Sequence, residues 1–374
     1  MAATTEQTEE TAINSMPHSQ PGRRVTVGVD THKDVHVAVA CDQLGVRLDE
    51  LRIPTTSAGY DQLVQWATGL GRVAAFGVEG TGSYGAELAR TLRRRGYRVI
   101  EVNRPDRATR HRLGKSDPVD AEMAARAVLA GVAAGTPKAS DGDAEMIRML
   151  KMVKDSAVKA RTQALNQMKA ILVTSPAQVR ESLSGLTDPK LLSRCAAFEP
   201  EPLTSPAAAA RHTLRLLARR NLDLRQEVKT LHDEIGRLAA SAAPHLLTIF
   251  GIGPDGAATM LVAAGDNPDR LRSEAAFAAL CGSNPIPASS GKTNRHRLNR
   301  GGNRQANATL HRIVVCRLRW HEPTQHYTQR RLAEGKTKPE VMRCLKRYIA
   351  REIYHALCPQ TGAPEAVKDL ESSS

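Results

Sequence analysis

Four carboxylates in the first third of the chain have the types and positions to hold a hard divalent cation. Asp30 closes the apolar run VTVGVD, Glu79 closes VAAFGVE, and Asp117 and Asp120 stand in KSDPVDAEMAARAV. An acid at the end of an apolar strand is unusual, and here two occur ahead of a D-x-x-D helix start. Pro118 suits a first helical turn and Asp117 an N-cap, which puts Asp120 within one turn of it. Oxygen donors of this kind suit Mg²⁺, with Mn²⁺ as a substitute. Two such ions about 4 Å apart can activate a nucleophile and stabilise the leaving oxygen of a phosphodiester. Singly, each acid has an ordinary reading as a strand-end turn residue, a surface charge or a helix cap; the combination carries the metal expectation. His32 and His36 lie four residues apart, but in and after a hairpin turn and not on a helix, so they are not read as a zinc pair.

Positioning these acids requires a sheet. VTVGVD (25–30), VHVAVA (35–40) and VRLDELRI (46–53), separated by tight polar breaks, predict an antiparallel meander. A helix near 57–68, a strand at 73–79, a helix at 83–96 and a strand at 97–102 follow. The order β-β-β-α-β-α-β followed by helices is the ribonuclease H order, an α/β domain with a mixed sheet.

Beyond it the text turns helical. Ile147, Leu150, Val153, Ala157, Ala160, Leu165, Met168 and Leu172 mark one long helix over 143–173, ended by Pro176, and the proline-broken stretch 174–206 predicts a linker with one or two short helices. Leu214, Leu217, Asn221, Leu224, Val228, Leu231, Ile235 and Leu238 then alternate spacings of three and four. This is a heptad seam with one register-setting Asn, which predicts a parallel two-stranded coiled coil between chains; an amphipathic helix lying on its own domain is the alternative. LLTIFGIGPDGAATMLVA has the pattern of a helix-hairpin-helix, whose turn can offer N–H groups to phosphate, or of a plain helical corner.

The chain has 374 residues and a net charge of +14, with 3% aromatic and 41% apolar residues. Its size allows two or three domains with aliphatic cores. Scattered cysteines argue against a disulfide framework, no apolar run is long enough to span a membrane, and the polar, acidic start does not resemble a signal peptide. A cytoplasmic nucleic-acid partner is the expectation. The 47 residues from Ala275 to His321 contain no acid but carry Lys292, Arg295, Arg297, Arg300, Arg304, Arg312, Arg317 and Arg319. Such a segment suits a surface lying against phosphates, with basic helices expected at 302–320 and 338–357.

VGVDTHKDVHVAV, VEGTGSYG, RLGKSDPVDAEMAARAV, LLTIFGIGPDGAATMLVA and SSGKTNRHRLNRGGNRQANATLHR, in this order over residues 23–360, resemble the IS one-ten insertion-sequence transposases. That resemblance implies a DEDD-type, RuvC-like domain binding Mg²⁺ through Asp30, Glu79, Asp117 and Asp120, then a coiled-coil segment and a small, mainly α C-terminal transposase domain. It also implies a serine nucleophile at Ser290 of ASSGKT, with Ser289 the adjacent alternative, that forms a covalent phosphoserine link to DNA. Lys292, Arg295, Arg297, Arg300, Arg304 and Arg312 would meet nucleic acid. Donor and target DNA, a structured bridge RNA that selects both, and a homo-oligomer (a coiled-coil dimer, tetrameric in synapsis) are the implied partners. The expected layout is a disordered tail at 1–22, the carboxylate domain at 23–140, linker and coiled coil at 141–243, the serine domain at 244–360 and a tail at 361–374. Two competing readings are a junction-resolving nuclease that uses metal-activated water, and a non-catalytic nucleic-acid scaffold.

Overall fold

The computed structural model describes residues 22–103, 116–291 and 296–358. Lys292, Arg295 and the expected tails, Gly22 apart, lie outside the described residues. The chain divides into two compact units, Met1–Ala139 and Ser140–Ser374.

The first unit contains β1 (Arg24–Thr31), β2 (Val35–Cys41), β3 (Arg47–Pro54), α1 (Ser57–Leu70), β4 (Arg72–Glu79), α2 (Ala86–Arg94), β5 (Val99–Val102) and α3 (Asp117–Leu129). They form a mixed sheet of order β3-β2-β1-β4-β5. β1, β2 and β3 pair antiparallel, as their short connections demand, while β4 and β5 add in parallel beside β1 through helical crossovers. Central β1 is buried on both faces, hence its unbroken apolar text. Val25, Val27 and Val29 point to the face that packs with Leu63, Phe76, Leu88 and Leu92. The alternate positions, Gly28 and Asp30, face the other side, where α3 lies.

That second face is built for close approach. Gly28 of β1 is in register with Gly77 of β4. A methyl group on Gly28 would sit 1.9 Å from the Ala121 carbonyl oxygen, and one on Gly77 would sit 3.0 Å from that of Ala124. With Ala121 and Ala125 completing a small core against Val39 and Cys41, helix backbone rests almost on strand backbone.

The second unit begins with α4 (Asp143–Thr174), α5 (Ala177–Ser182), α6 (Asp188–Ala196) and α7 (Pro206–Ala242). α7 lies antiparallel along α4 of the same chain. Its Leu214 shares a core with Met168, Asn221 donates from Nδ2 to the Arg161 carbonyl at 2.8 Å, and Ile235 shares a second core with Ile147. The heptad seam is therefore engaged within the chain, with Leu214, Asn221, Ile235 and Leu238 buried and Leu217, Leu224, Val228 and Leu231 half-buried. Heptad spacing specifies an apolar stripe but not whose helix covers it. Val153, expected on the packed face of α4, is exposed.

The unit continues through α8 (Pro244–Leu247), α9 (Pro254–Ala264), a 3₁₀ turn (Pro268–Arg270), α10 (Glu274–Leu280), the hairpin β6 (Pro285–Pro287) and β7 (His296–Leu298), α11 (Arg304–Trp320), α12 (Glu322–Ala333) and α13 (Lys338–Leu357). α9 to α11 and α13 enclose an Ala- and Leu-rich core around Met260, Phe277, Leu310 and Ile353. All six cysteines are free, and no helix among the described residues is long and apolar enough to cross a membrane.

Candidate active site

The four acids occupy one end of the first unit's sheet. Asp30 and Glu79 end adjacent parallel strands, each two residues beyond a glycine that admits α3. Side chains two apart share a face, so both carboxylates emerge on the side where α3 begins. The Thr31 hydroxyl donates to the Glu79 carbonyl at 2.8 Å and ties the two strand ends together. Asp117 and Asp120 fall in the first turn of α3, where carboxylates also suit the helix dipole. The N-cap is Ser116 in extended backbone, one residue ahead of the expected Asp117. As the first helical residue, Asp117 makes no cap and its carboxylate is free to turn toward the strand ends.

Asp30, Glu79 and Asp120 are buried, whereas Asp117 is only partly so. Burial raises the Asp30 pKa; His32 opposes this, and the charges of Glu79, Asp120 and Asp117 push it further up. Acids drawn together out of water disfavour their own ionisation, the condition a multivalent cation relieves. The donor set thus fits a hard divalent ion.

One member of this cluster was not expected. His32 Nε2 lies 3.1 Å from Asp30 Oδ2 and 3.4 Å from Asp117 Oδ1, and the three side chains form a group able to hold a metal ion. The signal was in the strand period: Gly28, Asp30 and His32 follow one another at intervals of two, the spacing of a single strand face. His36 goes elsewhere. It is fully buried, stacked on Tyr60 at 6.0 Å, and so cannot pair with His32 in a zinc site.

In the second unit, Ser290 is exposed just after β6, followed by Gly291 in left-handed backbone with φ 54°. Asparagines brace the base of this hairpin. Asn299 Nδ2 donates to Asn284 Oδ1 at 2.6 Å, Asn307 Nδ2 donates to the Cys281 and Gly282 carbonyls at 2.8 and 3.0 Å, and Asn303 caps α11 by accepting from the Gln305 and Ala306 amides. Gly302 passes so close to the end of α10 that a methyl group would lie 2.7 Å from the Leu280 carbonyl oxygen. The G-G-N-R segment thus packs closely on the end of α10 as well as capping α11.

The basic residues divide. Arg297, Arg300, Arg304, Arg312 and Arg319 are exposed. Arg317 is buried and donates to both Glu352 carboxylate oxygens at 2.9 and 2.7 Å and to the Phe250 carbonyl at 3.0 Å. It joins α11, α13 and the turn before α9, and its charge is spent inside the fold.

Two family models match the chain. The DEDD-type transposase model DEDD_Tnp_IS110 matches residues 27–175, which hold all four acids, and the model described as Transposase IS116/IS110/IS902 family matches residues 243–329, which hold Ser290 and most of the acid-free stretch. No match was found among the curated proteins. Matches in this order over more than half of the length place the chain in the IS110 family of DNA transposases.

Proposed function

We propose that the chain mobilises an insertion sequence by serine-dependent DNA strand cleavage and exchange, guided by a structured bridge RNA. The observation that carries this reading is the pairing on one chain of a converging acid cluster with an exposed serine on an asparagine-braced hairpin amid an acid-free, cationic segment. Ser290 attacks a DNA phosphorus. A serine–phosphate ester forms as a phosphorus–deoxyribose oxygen bond breaks, and the proton lost by the serine hydroxyl is matched by the one the leaving oxygen gains. Asp30, Glu79, Asp117 and Asp120 hold Mg²⁺, which supplies positive charge to neutralise phosphate when bound. Arg297, Arg300, Arg304 and Arg312, with Lys292 and Arg295 beside the serine in sequence, lie along nucleic-acid backbone. Few aromatics offer base-stacking platforms, which agrees with delegating sequence choice to RNA pairing.

The half-buried middle of the α7 seam supports self-association, as a dimer and as a tetramer in synapsis. The α8-turn-α9 segment supports a hairpin that rests on phosphate. A suicide DNA substrate with cognate RNA tests the chemistry. A covalent protein–DNA adduct is expected, and Ser290→Ala should abolish it while Ser289→Ala retains it. An undiminished adduct or unimpaired cleavage with Ser290→Ala would refute the serine role and favour activated water. Asp30→Ala and Glu79→Ala with unchanged transposition in cells would leave only a scaffold.

A further inference from the structure

We infer that His32 is a direct ligand in the metal centre, so that this site is a mixed nitrogen–oxygen site with a preference for Mn²⁺ over Mg²⁺. The inference rests on the reading that the acids hold a divalent ion and adds a donor and a selectivity to it.

Three features of the geometry carry it. First, His32 Nε2 meets two of the acids, not one, at 3.1 Å from Asp30 Oδ2 and 3.4 Å from Asp117 Oδ1. Neighbouring ligands on an octahedral ion of about 2.1 Å bond length are separated by about 3.0 Å, so these are the spacings of donors arranged around one ion. Second, the ligand atoms of Asp30, His32 and Asp117 all lie within 4.8 Å of one another, so the three side chains form one compact group that a single ion can reach. Third, the placement is imposed by the backbone. β1 ends at Thr31, His32 follows two residues after Asp30 on the same face, and the β1–β2 connection holds it at the mouth of the site, where its side chain is half-exposed. An imidazole there lies at the entrance of the acid cluster, within reach of both a buried and an exposed carboxylate.

The consequence is chemical. Mn²⁺ shares the taste of Mg²⁺ for oxygen donors, but Mg²⁺ demands a near-ideal octahedron and gives up water reluctantly, whereas Mn²⁺, as a first-row transition ion, tolerates a nitrogen donor better than Mg²⁺ does. One nitrogen among carboxylates therefore tilts the centre toward Mn²⁺.

Pulsed electron paramagnetic resonance on Mn²⁺ bound to the full chain tests this without reference to activity. Protein carrying ¹⁵N only in histidine should show ¹⁵N coupling to bound Mn²⁺. In His32→Gln, whose exposed position leaves the fold intact, the coupling should vanish, Mn²⁺ binding should persist, and the ratio of Mn²⁺ to Mg²⁺ affinity measured by calorimetry should fall roughly tenfold. Saturable Mn²⁺ binding that Asp30→Asn removes, but with no histidine coupling in the wild-type chain, would overturn the His32 assignment and leave the acid centre standing. Coupling that survives in His32→Gln would overturn it equally. If neither the wild-type chain nor Asp30→Asn binds Mn²⁺ saturably, the acid reading fails and this one with it.

Discussion

Replacing Gly28 by alanine separates the integrity of the fold from the integrity of the metal centre. The added methyl group would lie 1.9 Å from the Ala121 carbonyl oxygen and 2.4 Å from the Ala125 nitrogen, both backbone atoms of α3, against an ordinary contact limit of 3.4 Å. No rotamer relieves a backbone collision, so the strand and helix must part by about 1.5 Å. Asp117 and Asp120 ride on α3 while Asp30 and Glu79 stay with the strands. Metal–ligand distances tolerate about 0.2 Å, so the donor set should open beyond what one ion can bridge. The expected stability loss is about 1 to 3 kcal/mol, and the expected loss of Mn²⁺ affinity is tenfold or more. Gly69, near the end of α1, is the control, because a methyl group there meets nothing within 4 Å. Gly69→Ala should stabilise by about 0.4 to 1 kcal/mol and leave metal binding unchanged. Urea unfolding gives the first quantity and calorimetric Mn²⁺ titration the second. A folded Gly28→Ala protein with wild-type Mn²⁺ affinity would refute the argument that close helix–sheet approach builds the site.

Other perturbations follow from buried charges. His36 is fully buried with neither ring nitrogen hydrogen-bonded, and burial, with a contribution from His32, lowers its pKa from 6.5 to about 4. Its neutral form belongs to the folded state, so stability is complete above pH 6.5 and declines as pH falls toward 4, by about 3 kcal/mol in all. His36→Phe should remove that part of the acid dependence of the urea midpoint between pH 4.5 and 7.5, and an unchanged pH profile would count against it. Burial would raise the Asp255 pKa, but hydrogen bonds and charge from Lys154 and Lys151 hold it down at about 2; its stabilisation is present above pH 3.8 and lost as pH falls toward 2. Asp255→Asn should cost roughly 3 kcal/mol by leaving two largely buried lysines facing each other, read as a lowered urea midpoint of the second unit. For nucleic acid, Arg304→Ala should reduce the slope of log affinity against log salt by about 0.9. Arg317→Met should leave that slope unchanged while destabilising the fold, and a lost phosphate contact there would contradict its internal role.

The sheet was legible because its strands are short, strongly periodic and separated by tight polar turns; each expected strand lies within two residues of its observed bounds. The place of Asp30 and Glu79 at strand ends was legible for the same reason, since a charge at the end of an apolar run stands out against its surroundings. His32 was not. Judged by its four-residue distance from His36, it carried no helical signal, and its true partners are Asp30 on the strand and Asp117 on a distant helix. The heptad seam shows a different limit. Asn221 was expected to set register against a second chain, yet its amide meets the Arg161 carbonyl of its own, because an apolar stripe encodes a face but not an address. α12 was missed altogether: Glu322–Ala333 has little apolar periodicity, burying only Thr324 and Tyr327. Arg317 was tallied in the acid-free stretch, though not among the residues expected to meet nucleic acid, because composition cannot tell a solvated guanidinium from one enclosed by Glu352 and Phe250.

The α4–α7 pair also has a consequence for how the second unit comes apart. Its two ends are embedded in separate cores, one around Met168, Leu191 and Leu214, the other around Ile147, Ile235 and Phe277. Between them, the buried residues are few and small or polar, Lys151, Ala157 and Ala164 on α4 and Asn221 on α7, while Leu224, Val228 and Leu231 are only half-buried. A span with so few buried contacts transmits little cooperativity, so the smaller core can melt while the larger survives. Hydrogen exchange in this protein should then proceed in two tiers, with the amides of α5 and α6 exchanging through a subglobal opening and those of α9 and α13 only when the whole unit unfolds.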